Sequence, residues 1–373
     1  MRVLLLGGYG NFGRLIAREL ARDANLDVVI AGRNAAAAAS MAETLQRAAV
    51  ARFQSVGLDA NASDLTARFA AVAPDFVIDT CGPFQGSDYR VAESAIAAGA
   101  HYIDLADARD FVAGIGQLDA LARARDRLIT AGASTVPALS AAVIDHYHPQ
   151  FRALRTIDIG VSPGNRSPRG AATVAAILSY VGRPLKMRIN GQWRSVTGWQ
   201  NLRRERYPRP VGQRWLANCD VPDLSLFVPR YAGVESVRFG AGLELRLLHF
   251  GLWLLSWLVR WRMLPRLDRW TRALKRISEW LQSRGSDAGA MHVRLGGTGA
   301  DGAPLTLTWT LVAGSGHGPQ VPASAAVALA RKLARGDLHA RGAMPCMGLL
   351  TLQEYLAALA DYDVRVDVRR ERT

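Results

Sequence analysis

Met1-Arg-Val-Leu-Leu-Leu-Gly-Gly-Tyr-Gly-Asn-Phe-Gly13 joins a short apolar run to closely spaced glycines. The apolar run predicts a buried strand, and the apolar residues that follow recur at helical spacing up to about residue 21. Gly8, Gly10 and Gly13 have the spacing G-x-G-x-x-G between that strand and that helix. A glycine turn in this context is the fingerprint of a dinucleotide-binding site.

Each glycine of the turn has a physical reason. One allows the tight turn, one lets the backbone approach a pyrophosphate, and one lets the helix pack closely on the strand. The N–H groups at the start of the helix then face the phosphates, and the helix dipole favours their charge. The residues predicted to bind the cofactor here are Gly8, Tyr9, Gly10, Asn11, Phe12 and Gly13.

A second predicted strand, residues 27–31, ends in Gly32-Arg33-Asn34. NAD-binding domains place an acidic residue at this point to hold the ribose 2′-hydroxyl. This chain has Arg33 there instead, and a guanidinium pairs well with a phosphate. We therefore expect NADP(H) to be preferred over NAD(H), with Gly32, Arg33 and Asn34 in the cofactor site.

Strands and helices alternate as far as about residue 130, which predicts an α/β fold with a doubly wound parallel sheet of the Rossmann type. Ligands bind beyond the carboxyl ends of such strands. This rule selects Asp59, Cys81, Gly82, Pro83, Asp104 and Asp107. Asp59 contacts the cofactor or caps a helix that starts at Asn61. Cys81 is a small apolar filler or a nucleophile, and Cys81, Gly82 and Pro83 are expected to lie in the cofactor site. Asp104 and Asp107 are acid/base residues or caps.

The motifs resemble the saccharopine dehydrogenase NADP-binding family. The resemblance rests on residues 8–13, 31–33, 79–84 and 98–105, and more weakly on residues 317–346. It implies an NADP(H)-binding oxidoreductase fold with an inserted domain and a C-terminal segment that folds back on the Rossmann domain. We accordingly expect a Rossmann domain at 1–135, an α+β substrate or oligomerisation domain at 136–315, a returning segment at 316–364 and a charged, frayed tail at 365–373.

Charge is unevenly distributed along the 373 residues. Residues 1–149 contain 13 Lys/Arg and 16 Asp/Glu, whereas residues 150–373 contain 33 and 16. Three widely spaced cysteines favour a reducing compartment and predict neither a metal site nor a redox pair. We expect a cytoplasmic protein that acts on a small molecule, forms a homodimer and does not bind nucleic acid.

Two candidate sites lie beyond the Rossmann domain. The loop residues Asn165, Arg166 and Arg169 either hold an anionic substrate or form a solvated turn. His317 lies in a glycine-rich loop between the two predicted domains, where a histidine suits proton transfer near neutral pH. It is either a catalytic residue, alongside Asp104 and Asp107, or a structural one.

Residues 245–284 form a second distinctive segment. Leu247–Val259 is almost entirely apolar but too short to span a bilayer, which needs ~20 residues. Between residues 245 and 285 there are 9 Arg/Lys and 2 Asp/Glu, half of the protein's net charge of +14. The pattern is typical of a helix that lies on an anionic membrane surface, or beside an apolar, lipid-like substrate. A buried helical hairpin at a dimer interface or in the protein core accounts for it equally well.

These observations favour an NADP(H)-dependent oxidoreductase that transfers hydride to or from a carbonyl, an imine or an activated alkene. The alternative is a catalytically silent, membrane-associated protein that binds NADP(H) and regulates a partner, since no Tyr-x-x-x-Lys pair or comparable proton donor is evident. In that case the protein is peripheral at the inner face of the membrane.

Overall fold

The computed structural model describes residues 1–372 and divides them into two compact units. The first unit contains residues 1–139 and 320–358, and the second contains residues 140–319 and 359–372. The first unit begins with six strands and six helices, which alternate except that two helices lie between the last two strands: β1 Arg2–Leu6, α1 Gly13–Leu20, β2 Asp27–Gly32, α2 Ala35–Gln46, β3 Arg52–Gly57, α3 Leu65–Val72, β4 Phe76–Asp79, α4 Arg90–Ala97, β5 His101–Asp104, α5 Arg109–Gly114, α6 Asp119–Ala124 and β6 Leu128–Ala131.

The second unit is richer in strands. Its elements are α7 Ser140–Tyr147, β7 Phe151–Ser162, α8 Ala171–Tyr180, β8 Pro184–Ile189, β9 Gln192–Thr197, β10 Arg203–Arg206, β11 Gln213–Asn218, α9 Asp223–Arg230, β12 Ser236–Ala241, α10 Arg246–Arg260, α11 Thr271–Trp280, β13 Gly289–Gly299 and β14 Pro304–Ala313. The chain then returns to the first unit with α12 Gln320–Ala334, β15 Gly342–Pro345 and α13 Leu352–Ala357. It ends in the second unit with β16 Val364–Glu371.

The sheet of the first unit has seven parallel strands in the order β3-β2-β1-β4-β5-β6-β15. The residues of β1 from Val3 to Leu6 are fully buried, as are Phe76–Ile78 of β4, because helices cover both faces of a sheet wound in this way. The order reverses between β1 and β4, so the carboxyl ends there form the crevice in which such sheets bind ligands. The predicted fold class is confirmed.

The seventh strand comes from the returning segment. Gly342–Pro345 pairs in parallel with Leu128–Ala131 of β6. Tyr355 of α13 is fully buried, and its hydroxyl donates to the carbonyl oxygen of Val321 in α12, 2.7 Å away. This part of the C-terminal region therefore completes the first unit.

The second sheet is mixed and follows the order β10-β11-β12-β7-β13-β14-β16, with β8 and β9 attached through β12. The glycine-rich hairpin of β13 and β14 pairs Met291 with Leu311 and Val293 with Trp309. Apolar side chains that face inward alternate with other residues along both strands, because successive residues of a strand point to opposite faces.

The predictions for the C-terminal residues are wrong in two respects: the structure of the tail and the bounds of the returning segment. The expected frayed tail is the edge strand β16, whose residues pair with β14 from Val364↔Ala313 to Glu371↔Thr306. The alternating valines of Val364-Arg-Val-Asp-Val368 form a strand pattern that the surrounding charges obscure. The structure therefore assigns residues 359–372 to the second unit rather than to the segment that packs on the Rossmann sheet.

Candidate functional site

Close packing at the glycine turn requires glycine at its third position. A Cβ atom on Gly13 would overlap the carbonyl oxygen of Gly7 and lie 2.7 Å from the Cα atom of Gly8. The amide N–H groups of Gly7 and Gly8 both donate to the carbonyl oxygen of Ala31, at 2.8 and 3.2 Å. The turn is thus fastened to the end of β2, and α1 begins directly against it.

The start of α1 has the polarity that a phosphate needs. Within residues 1–372, no side chain caps this helix, and the N–H groups of Asn11 and Phe12 have no acceptor. Unpaired N–H groups at a helix N-terminus are a ready site for an anion, since the helix dipole acts in the same direction. The residues present therefore fit a dinucleotide pyrophosphate.

Tyr9 connects the glycine turn to the end of β2. Its hydroxyl accepts a hydrogen bond of 3.0 Å from the N–H of Asn34, and its ring lies where a Cβ atom on Gly32 would be. The Asn34 side chain accepts from the N–H of Ala37 at 3.0 Å and so caps α2. These contacts hold the backbone on both sides of Arg33.

Arg33 itself is exposed, and no side chain or backbone group in the described part of the chain bonds to its guanidinium. It lies near the Cys81 thiol, on whose pKa its charge and that of Asp59 act in opposite directions. Three of the predicted residues, Arg33, Asp59 and Cys81, therefore lie together at the carboxyl ends of β2, β3 and β4. A free guanidinium here is available to a phosphate group.

Asp59 and Cys81 have local roles in this edge. Asp59 accepts from the N–H of Asn61 at 3.0 Å, which closes a turn, and α3 begins only at Leu65. The expected helix from Asn61 is therefore wrong. Part of Cys81 is accessible to solvent, but the atoms packed around its sulfur, together with Asp79, raise the pKa of the thiol well above its ordinary value. Cys81 is thus a thiol at neutral pH, not a thiolate nucleophile.

The loop after Cys81 faces the loop after β5. It starts with a cis peptide bond between Gly82 and Pro83. The amide of Gln85 donates to the carboxylate of Asp107 at 3.1 Å. Burial raises the pKa of Asp107, so its proton is retained closer to neutral pH than that of an ordinary aspartate. As a whole residue, Asp107 is only half-buried.

Asp104 is fully buried. One of its oxygens accepts from the N–H groups of Ala106 and Gly132, at 2.9 and 2.8 Å, and so ties together the loops after β5 and β6. Burial raises the pKa of Asp104 to about 7. A side chain with this placement supports the loops of the site, so the capping alternative accounts for its contacts, and an acid/base role for Asp104 stays a prediction.

Sequence reasoning missed Asp79, which pairs in register with Asp104 across β4 and β5. Asp79 accepts from the N–H of Cys81 at 2.8 Å, and the hydroxyl of Tyr102 lies 3.4 Å from its other oxygen. Burial raises its pKa to about 6. Asp79 could have been predicted as a site residue because it is a carboxylate at the end of the apolar strand Phe76–Asp79. The sequence prediction selected Cys81, in the loop that follows, instead.

His317 belongs to the second unit. Its Nδ1 accepts from the N–H of Asp363 at 2.9 Å, and its ring centroid lies 5.2 Å from that of Tyr362. These contacts fasten the loop after β14 to the start of β16. The structural alternative accounts for them, and a catalytic role for His317 stays a prediction.

The predicted substrate-binding loop makes most of its polar contacts with other parts of the protein. Asn165 is fully buried: its N–H donates to Glu244 at 2.6 Å, its amide donates to the carbonyl oxygen of Leu281 at 2.8 Å, and its Oδ1 accepts from Arg169 at 2.7 Å. Arg169 also bonds to Ser278. The substrate role predicted for Asn165 and Arg169 is wrong, and so is the solvated turn, because these groups fasten residues 245–284 to the loop after β7.

Arg166 differs from these two residues. It is exposed, and its guanidinium donates a single bond of 3.3 Å, to the carbonyl oxygen of Ser283. The three residues that spacing grouped together therefore divide into two buried anchors and one surface arginine. No anion site forms from all three.

Replacing Asn165 with alanine should lower the free energy of unfolding by about 3 kcal/mol, because the carbonyl oxygen of Leu281 and the guanidinium of Arg169 lose their hydrogen bonds to the buried side chain. Urea unfolding measures this loss. The neighbouring exposed Arg166→Ala is the control and should change stability by less than about 0.5 kcal/mol. Equal stability of the two variants would contradict the anchoring role.

Among residues 1–372, no group of three or more His, Cys, Asp and Glu is arranged to hold a metal ion. The site is instead a seven-stranded parallel sheet with a glycine turn and an uncapped helix start at its carboxyl edge. These features define a domain of the Rossmann type, the class of fold that commonly binds dinucleotides.

Residues 3–147 match the family model described as the saccharopine dehydrogenase NADP binding domain. The resemblance predicted from the motifs is thereby confirmed for the N-terminal part of the chain. No curated protein matches the chain.

Comparison with solved structures extends the fold to the whole chain. A saccharopine dehydrogenase (L-Glu forming) from Saccharomyces cerevisiae is similar over 99% of both chains, with 15% identity and a TM-score of 0.70. An amine dehydrogenase from Mycobacterium smegmatis has 11% identity over 95% of each chain, with a TM-score of 0.48. A biliverdin reductase from Synechocystis has 13% identity over 96% of each chain, with a TM-score of 0.43. The first similarity shows that the chain has the fold of this saccharopine dehydrogenase.

Proposed function

We propose that this protein is an NADP(H)-dependent oxidoreductase that transfers hydride to or from a carbonyl, an imine or an activated alkene. The observation that carries the proposal is Arg33, an exposed arginine without a partner at the end of β2, where no carboxylate is present. When bound, the nicotinamide cofactor supplies or accepts the hydride.

Different residues of the first unit would hold different parts of the cofactor. The free N–H groups of Asn11 and Phe12 would bind the pyrophosphate, and Arg33 would bind the 2′-phosphate. Tyr9 and Asn34 hold the backbone around Arg33 through the 3.0 Å bond between them. This arrangement favours NADP(H), because a ribose with a free 2′-hydroxyl would leave the guanidinium without a partner.

A proton must accompany the hydride when a carbonyl or an imine is reduced. Of the predicted acid/base residues of the first unit, Asp107 is the better candidate, because it is half-buried with a raised pKa, whereas Asp104 is fully buried and bonded to backbone. Asp107 would hold or release a proton at the carboxyl oxygen that is not bonded to Gln85.

Two measurements on the full chain test the proposal. The fluorescence of NADPH should change on binding, and NADPH should bind more tightly than NADH. Turnover is then followed by the loss of NADPH absorbance with a panel of carbonyls, imines and activated alkenes. Binding of NADPH without turnover of any compound class would leave the chain a binding protein, and absence of NADPH binding would overturn the cofactor assignment itself.

A further inference from the structure

Helix α10, the first helix of the hairpin of residues 245–284, carries few polar side chains. Between the terminal arginines of α10 the only polar side chains other than tryptophan are His249 and Ser256, and both are fully buried. His249 accepts from the N–H of Leu243, and Ser256 accepts from the amide of Gln200, both at 3.3 Å. The polar groups of α10 therefore face inward.

The outer face of α10 is apolar. Leu247 and Leu254 lie two turns apart on one side of the helix, and 70% and 58% of their surfaces are exposed. The opposite face, with Leu252, Leu255 and Val259, packs on the cluster around Trp199. A helix that is apolar on both sides is normally covered on both sides. The outer face of α10 therefore lacks a covering surface.

The loop after α10 continues this apolar surface. Trp261 and Met263 are 61% and 68% exposed, and Trp270 and Trp280 are exposed beyond them. Most of the large hydrophobic side chains that are exposed in residues 1–372 lie in this hairpin. Monomeric soluble proteins seldom expose such a concentration of large apolar side chains, which marks an interaction surface.

A basic pocket adjoins the same loop. It has a volume of about 770 Å³, and five arginines but no carboxylate line it: Arg183, Arg260, Arg262, Arg266 and Arg269. Arg266 pairs with Asp268 at 2.8 Å, and Arg260 donates to Gln200. The other three have no ion-pair partner in the described part of the chain. Met263 and Pro265 also line the pocket, so guanidinium and apolar groups meet at one point.

Charge identifies what covers this surface. A twofold contact between two copies brings the same patch of each copy together. That would oppose two segments with 9 Arg/Lys and 2 Asp/Glu each, so their like charges would repel. An anionic bilayer offers the complementary arrangement, with phosphates for the arginines and acyl chains for the leucines and tryptophans.

We propose that the hairpin of residues 245–284 docks on an anionic phospholipid bilayer. The outer face of α10 and the loop with Trp261 and Met263 enter the boundary between headgroups and acyl chains. Arg183, Arg262 and Arg269 bind the lipid phosphates. Because no helix within residues 1–372 has both the length and the apolarity to cross a membrane, the contact is peripheral.

Flotation of the full-length protein with vesicles tests the proposal. The protein should float with vesicles of phosphatidylcholine and phosphatidylglycerol at low salt, stay behind with phosphatidylcholine alone, and dissociate at high salt. Two variants separate the contributions: Leu254→Gln with Met263→Gln removes apolar contact, and Arg262→Glu with Arg269→Glu reverses charge. Each should lower the partition coefficient by about tenfold or more.

Matched controls lie in the first unit. Leu121→Gln changes a leucine as exposed as Leu254, and Arg47→Glu with Arg52→Glu makes the same charge change away from the hairpin. Both controls should float like the unchanged protein. If the controls lose as much binding as the hairpin variants, net charge rather than this surface causes the binding, and the proposal fails.

Sedimentation without lipid completes the experiment. If the protein forms a dimer that Leu254→Gln with Met263→Gln dissociates, and the unchanged protein does not float with anionic vesicles, a second copy covers the surface and the proposal is overturned. Because flotation does not use NADPH or turnover, its result is independent of the proposed enzymatic function.

Discussion

Replacing Gly13 with alanine should severely weaken the binding of NADPH. The new Cβ atom would overlap the carbonyl oxygen of Gly7 and lie 2.7 Å from the Cα atom of Gly8, both of which are backbone atoms that no rotamer change can move aside. The start of α1 must shift, and the N–H groups of Asn11 and Phe12 shift with it. We expect NADPH affinity to fall by roughly 100-fold or more, because the anion site depends on their direction.

The same substitution should lower the free energy of unfolding by about 3 kcal/mol, as overpacking does at a tightly packed site. Thermal unfolding separates this loss from the loss of binding. The control is Gly116→Ala, where the nearest atom to a new Cβ lies 4.0 Å away, and which should keep both NADPH affinity and stability. A folded Gly13→Ala protein that binds NADPH normally would show that the turn does not hold the pyrophosphate.

Replacing Arg33 with aspartate should reverse the cofactor preference. Loss of a charged bond to the 2′-phosphate, and repulsion by the new carboxylate, should weaken NADPH by about 100-fold. NADH should change little, since a carboxylate can accept from its ribose hydroxyl. The fluorescence titration of each cofactor gives both affinities. Stability should stay within about 0.5 kcal/mol, because Arg33 is exposed and bonds to no protein group.

The control for this prediction is Arg52→Asp. Arg52 is an exposed arginine at the start of β3, so it lies at the opposite edge of the sheet from Arg33. The same charge change there should leave the ratio of NADPH to NADH affinity unaltered. An equal loss of both cofactors in Arg33→Asp would remove the 2′-phosphate contact from the proposal, while the glycine turn would remain as the cofactor site.

The proposed cofactor site and the proposed membrane-docking surface depend on different kinds of interaction. Cofactor binding depends on backbone N–H groups that a rigid turn presents, and a few tenths of an ångström matter there. Membrane docking depends on the sum of many weak terms from exposed leucines, tryptophans and arginines. Loss of one can therefore leave the other intact, and variants of Arg33 and of Arg262 should behave independently.

Local patterns in the sequence were sufficient for residues 1–131 of the first unit, but not for its seventh strand, β15, which comes from residues 342–345. Short apolar runs, the helical spacing, the glycine spacing and the missing acid after residue 31 predicted the parallel sheet, the turn and Arg33 at its edge. Each of these features lies within about thirty residues of chain, where short connections restrict the topology to right-handed βα units.

Only the tertiary structure decided features that depend on distant segments. Spacing alone grouped Asn165 with Arg166, yet Asn165 is buried because Leu281, far along the chain, supplies its acceptor. The charged C-terminal residues form β16 because the edge of β14 is there to pair with them. Composition likewise showed that α10 is apolar, whereas which face packs on Trp199 and which faces outward follows from the neighbours that fold against it. Hydrogen bonds and burial depend on pairs of segments. The pattern of one segment therefore indicates which of its side chains must be buried or hydrogen-bonded, but not which other segment supplies the partner.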